Sequence, residues 1–139
     1  MKHVFRTALA IALVTSSCSS GPTDPSEAIA GTWALSTING QTLPFVWQAQ
    51  DANNSVSFAS GTLTLRTDGT FTDHTDFSVK VDGTDQSQPL ESSGTWKISA
   101  DTLTLTPLEA PEYTMTWNGS DRLSQTFDQL MLLYHKESH

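Results

Sequence analysis

From Gly31 to the C-terminus, apolar residues alternate with Thr, Ser and charged residues, and Gly, Asn and Asp interrupt the alternation at short intervals. A period of two puts successive side chains on opposite faces of an extended chain, so the pattern predicts β-strands throughout and no long helix. In the segment from Gly31 to Ile38, Trp33 and Leu35 share one face. Asn39-Gly40 has the composition of a tight turn and predicts a first hairpin, whose second strand lies around residues 43–48.

Residues 61–66 place Leu63 and Leu65 together, and Thr67-Asp68-Gly69 turns the chain into a long strand over residues 70–81. Along that strand Phe71, Phe77, Val79 and Val81 share a face with Asp73 and Thr75, while His74, Asp76 and Lys80 point the other way. Residues 82–88 read as a polar loop. Further strands present Trp96 and Ile98, then Leu103 and Leu105, then Tyr113, Met115 and Trp117, followed by residues 123–127 and 130–135. The count is about eight or nine short strands. Sequential antiparallel strands joined by tight turns pair with their neighbours, and closure removes the exposed edges. The expected fold is all-β: a single antiparallel up-and-down barrel of about eight strands.

Ahead of Gly31 the character of the chain changes. Lys2 and Arg6 precede an apolar run at residues 8–14 and the small residues Thr15, Ser16 and Ser17, the order of a signal peptide. The run is far shorter than the roughly 20 residues a membrane-spanning helix needs. Residues 1–17 are therefore expected to be removed, residues 18–30 to form a cysteine-headed Ser/Gly/Pro-rich tether, and residues 31–139 to fold. Cys18 is the only cysteine, so it has no intramolecular disulfide partner.

The segment Val14-Thr15-Ser16-Ser17-Cys18 resembles a bacterial lipobox. Thr15 stands where an aliphatic residue is usual, and ordinary cleavage near Cys18 is the alternative. The resemblance implies acylation of Cys18, with chains such as palmitate, and the membrane as a partner through that anchor. More than one acyl chain makes such anchoring stable. Ser19 and Ser20, with no Asp directly after the cysteine, imply the outer membrane by analogy with Gram-negative sorting signals.

Without Lys2 and Arg6, five Lys and Arg stand against 15 Asp and Glu, a formal charge of −10. The five are scattered, which argues against nucleic acid as a partner, because phosphate binding needs clustered cations. Such an excess commonly keeps a surface solvated.

Gly31-Thr32-Trp33, the Ile38-Asn39-Gly40-Gln41-Thr42-Leu43-Pro44 turn and the strand starts Ser60-Gly61-Thr62-Leu63 and Ser93-Gly94-Thr95-Trp96 resemble small bacterial lipocalin-like lipoproteins. The resemblance covers most of residues 31–136. It implies that Trp33 closes the barrel base; in the family this Trp packs against an Arg near the last strand, and here Tyr134-His135-Lys136 occupies that place, with Lys136 positioned to cap it. A second resemblance, carried by Trp33 to Gly40, is to the META domain of envelope lipoproteins, although the Gly-Cys-Asn segment typical there is missing.

An eight-stranded barrel is either filled by side chains or holds one small ligand. In the binding reading, Trp33, Phe71, Asp73, Phe77, Trp96, Tyr113, Trp117 and Phe127 line a site for a small apolar or amphipathic molecule. In the other reading the aromatics fill a dry core, each contributing about 1.5–3 kcal/mol on burial. Asp73 favours a wet cavity, since a carboxylate on an apolar face is costly unless paired. Phe45-Val46-Trp47 breaks the alternation and suits a rim, a lid, a partner surface or a strand buried on both sides.

No catalytic residue, cofactor or metal site is expected. Asp73-His74-Thr75-Asp76 contains the residue types for acid–base or metal chemistry, but alternation puts His74 and Asp76 opposite Asp73, and no ligand spacing links them to His135 or His139. A nucleophile elbow and a phosphate loop are both missing. The expectation is a non-enzymatic envelope protein that binds a small ligand, or else a filled-barrel module that acts through an unidentified protein partner.

Overall fold

A computed structural model describes residues 24–138; Cys18, the expected export segment and His139 lie outside them. The alternation resolves into one short helix, α1 (Pro25–Ile29), and ten strands: β1 (Gly31–Ile38), β2 (Gln41–Thr42), β3 (Phe45–Asp51), β4 (Asn54–Leu65), β5 (Thr70–Val81), β6 (Thr84–Ser99), β7 (Thr102–Pro107), β8 (Tyr113–Trp117), β9 (Arg122–Phe127) and β10 (Leu130–Lys136). Strands β4 to β10 pair in sequence order, and β10 pairs with β1. Residues Gly31 to Ala34 of β1 then pair with Leu65 to Thr62 of β4, which closes an antiparallel eight-stranded barrel. Closure leaves β2 and β3 outside the ring, attached to β1 and β4 respectively.

The first hairpin differs from the sequence expectation. Only the two residues of β2 return along β1, while β3 pairs with the first half of β4. The register of β3 slips between Val46 and Gln48, so Trp47 is the extra residue of a bulge. Phe45 and Trp47, two residues apart, share the face that packs against the core, and Val46 points the other way and is exposed.

Two further corrections concern polar segments. Residues 84–88, expected in a loop, begin the 16-residue strand β6, and the turn is confined to Asp82 and Gly83. The tether expected to run to residue 30 ends earlier, because α1 is ordered. Its N-cap Asp24 accepts a hydrogen bond from the Ser26 amide, Pro25 opens the first turn, and Ile29 is fully buried in the barrel core.

The barrel wall is uneven. Strands β5 and β6 pair from Thr70–Val81 against Thr84–Thr95, yet β6 meets β7 only from Gly94 to Ser99. Strands β3 to β6 therefore rise as a tall ribbon above a low wall made by β7 and β8. At the step, a Cβ on Gly94 would collide with the carbonyl oxygen of Thr106, so glycine is what lets β7 cross so closely. Below the step the interior is apolar and closely filled by residues including Leu63, Leu65, Phe71, Leu103, Leu105 and Leu123.

Candidate functional site

Ascending the inner face of β5, Phe71 belongs to the dry core, Asp73 comes next, and Phe77 lies above it. Asp73 stands opposite Leu63 of β4 and Ser92 of β6. Its Oδ2 accepts a hydrogen bond from the Tyr113 hydroxyl at 3.4 Å, long for an O–H···O bond. Its Oδ1 is buried and receives no hydrogen bond among the described residues. Burial pushes the Asp73 carboxyl above the usual carboxylate range, against the opposing pulls of the Tyr113 hydrogen bond and the His74 charge. Burial likewise raises Tyr113 and Tyr134, and the Asp73 carboxylate reinforces both shifts. The underbonded Asp73 carboxylate and the Tyr113 phenol thus form a polar layer inside a largely apolar barrel.

Asp73 alone of this layer borders a lateral opening. A cleft of about 820 Å³ opens where β6 has left β7, and Asp73 lies in its wall with Leu90, Glu91, Ser92, Leu108 and Glu109. Leu90 shares the inner face of the ribbon with Asp73 by alternation, yet it is 62% exposed because β7 does not extend to cover it. Leu108, in the loop after β7, is 79% exposed on the other side. Above the layer, Trp47 packs on Phe58, Phe77 and Phe127 with ring centroids 5.6, 6.4 and 5.9 Å away. Through Trp47 this cluster joins the tall ribbon to the β9–β10 tip.

On the outer face of β5, His74 approaches Glu91 Oε1 through Nδ1 at 3.1 Å and Asp76 Oδ2 through Nε2 at 3.2 Å. Hydrogen bonds to Asp76 and Glu91 raise its pKa, because both ring nitrogens can donate only in the imidazolium. The carboxylates thus occupy separate nitrogens of one exposed ring.

At the opposite end three indoles build a floor. Trp33 Nε1 donates to Ile29 O at 3.0 Å, Trp96 Nε1 to Arg66 O at 2.9 Å, and Trp117 Nε1 to Ser120 O at 3.2 Å. Lys136 Nζ lies 5.7 Å from the Trp33 ring centroid and donates to Ala28 O at 2.6 Å. A Gly-x-Trp strand closing the base of an eight-stranded barrel is the arrangement that the sequence resemblance implied, and a model of the lipocalin-like domain matches residues 29–130. The chain belongs to the lipocalin-like family. No curated protein and no solved structure matches it.

The lipocalin-like frame sorts the candidate lining residues into three levels. Trp33, Phe71, Trp96 and Trp117 are buried in or next to the floor, where the three indole N–H groups are already used. Asp73 and Tyr113 come together at the polar layer. Phe77 and Phe127 join the upper aromatic cluster, and Phe127 is partly exposed. Sequence reasoning did not place Tyr134 in the lining, although alternation along β10 could have done so, and it read Trp47 as part of a rim, lid, partner surface or buried strand rather than as a lining residue. It also missed the cleft residues Leu90 and Leu108, which lie in segments that carry no alternation.

Proposed function

We propose that this lipocalin-like protein binds a small apolar or amphipathic molecule in the lateral cleft, and that it does so as a non-catalytic protein held at the outer membrane by acylated Cys18. The observation that supports the binding reading is the opening itself: about 820 Å³, bordered by the largely buried residue Asp73 and flanked by the exposed leucines Leu90 and Leu108. A carboxylate is costly in a sealed apolar core and more tolerable beside a wet opening. The anchor rests on the order of export segment, small residues and single cysteine.

The binding test is native mass spectrometry with lipid extraction on the full chain expressed and processed in a Gram-negative host. A stoichiometric apolar adduct that is lost in Phe77→Ala supports the reading; a clean mass that stays clean after exposure to envelope lipids overturns it. Fatty-acid probe labelling of wild type but not of Cys18→Ala supports the anchor, and equal absence of label from both removes it.

A second reading keeps the barrel as a filled module acting through a protein partner. It is favoured by the dry lower half and by the free edge of β6, whose residues Thr84 to Ser93 have no β7 partner. Pro89, Asp85 and Glu91 on that edge discourage strand addition, which ranks this reading second.

A further inference from the structure

The charge of the folded chain is divided unevenly between its two ends. The floor end comprises α1, the turns that follow β4, β6 and β8, and the lower strand ends beside them. It carries four of the five Lys and Arg among the described residues: Arg66, Lys97, Arg122 and Lys136. These stand against six carboxylates, and two of the six have a cation in reach, Asp68 beside Arg66 and Asp121 beside Arg122 and His135. The rest of the described chain holds Lys80 alone against nine carboxylates, among them Asp51, Asp82 and Asp85 at the ribbon tip and Glu109 and Glu112 in the loop after β7. Four against six gives the floor a formal charge of −2, and one against nine gives the upper part −8. The 12 residues of β5 span about 40 Å. That is several times the screening distance of about 8 Å at physiological ionic strength, so a charged surface acts on whichever end lies against it and not on the other.

Building on the lipid-anchor reading above, we propose that the Trp33 floor is the face presented to an anionic lipid surface and that repulsion of the acidic ribbon holds the domain upright on it. An anionic leaflet attracts Lys and Arg and repels carboxylates. An upright domain puts only the weakly charged floor in that field, whereas a fallen one brings the ribbon into it. The preference therefore follows lipid charge and salt concentration, and a purely mechanical tether would follow neither.

Resonance energy transfer tests this on the full chain processed in a Gram-negative host and reconstituted into vesicles. The donor is a fluorophore on Ala52→Cys in the exposed turn between β3 and β4, and the acceptor is a headgroup-labelled lipid. The vesicles are phosphatidylcholine, alone or with about a third phosphatidylglycerol. At about 0.01 M salt, transfer is about twofold lower on the anionic vesicles than on the neutral ones, and the difference closes at about 1 M. Asp85→Lys/Glu109→Lys/Glu112→Lys reverses three exposed carboxylates and brings the upper part to the −2 of the floor; the twofold difference then disappears while the circular dichroism spectrum is unchanged. Equal transfer on the two vesicles at low salt, or a difference that survives the triple reversal, overturns the charge-set orientation while the anchor stands. A processed chain that co-sediments with neither vesicle removes the anchor reading, and this inference falls with it.

Discussion

The two ends of the barrel use the same residue type under opposite rules. At the floor, each indole of Trp33, Trp96 and Trp117 donates to a backbone carbonyl, and Lys136 ties Trp33 to the helix that covers it. Toward the mouth, Trp47 is only partly buried, stacks on three phenylalanines and makes no such bond among the described residues. Just below it, Asp73 carries the one buried side-chain atom without a partner among the described residues. The floor is locally consistent at every level, as a region built for stability should be. The upper half breaks those rules, and such breaks concentrate where a protein binds something.

The largest expected effect breaks the floor. Trp33→Ala removes a fully buried indole, its hydrogen bond and its contact with Lys136, and should cost about 3–5 kcal/mol in urea unfolding. Gly94→Ala should come next, since the added methyl group meets backbone rather than a movable side chain; a loss of about 1–3 kcal/mol is expected by the same measurement. Trp47→Ala should cost only about 1 kcal/mol, because it loses aromatic contacts at a partly buried site at the rim of the core.

Asp73→Asn should have the opposite sign and raise the unfolding midpoint at pH 7 by the equivalent of about 1 kcal/mol, as an uncharged amide is cheaper to bury. The pH dependence sharpens this. Because burial raises the folded carboxyl above its ordinary 3.8, the folded state holds the proton more tightly, and the stabilising contribution is lost as pH rises through the folded value. Relative to Asp73→Asn, wild type should therefore gain stability as pH falls from 7 toward 4; a widening gap would contradict the buried, underbonded carboxylate. The smallest effect belongs to His74→Gln, which should leave the midpoint unchanged, while NMR titration of the wild-type imidazole should give a value above 6.5.

Much of this contrast was legible in the chain. Strand β5 follows its alternation from Thr70 to Val81, and Asp73 stood out as a carboxylate on an apolar face. Trp33 and Lys136 met as the family resemblance implied. The missed parts share a physical cause. Residues 84–93 of β6 are solvent-exposed over most of their length, so no apolar period marks them as a strand. Helix α1 is five residues long, too short for a periodic signal, and only Ile29 anchors it. Tyr113 approaches Asp73 across 40 positions of sequence, a meeting that only barrel closure determines.

The helix that covers the floor also sets an orientation. Only six chain links separate Cys18 from Asp24, a reach of about 20 Å when fully extended. If Cys18 carries lipid as proposed, that short leash keeps the Trp33 end facing the bilayer and turns the tall ribbon away from it. A molecule reaching Asp73 then arrives from the aqueous side rather than by sliding out of the leaflet that holds the anchor.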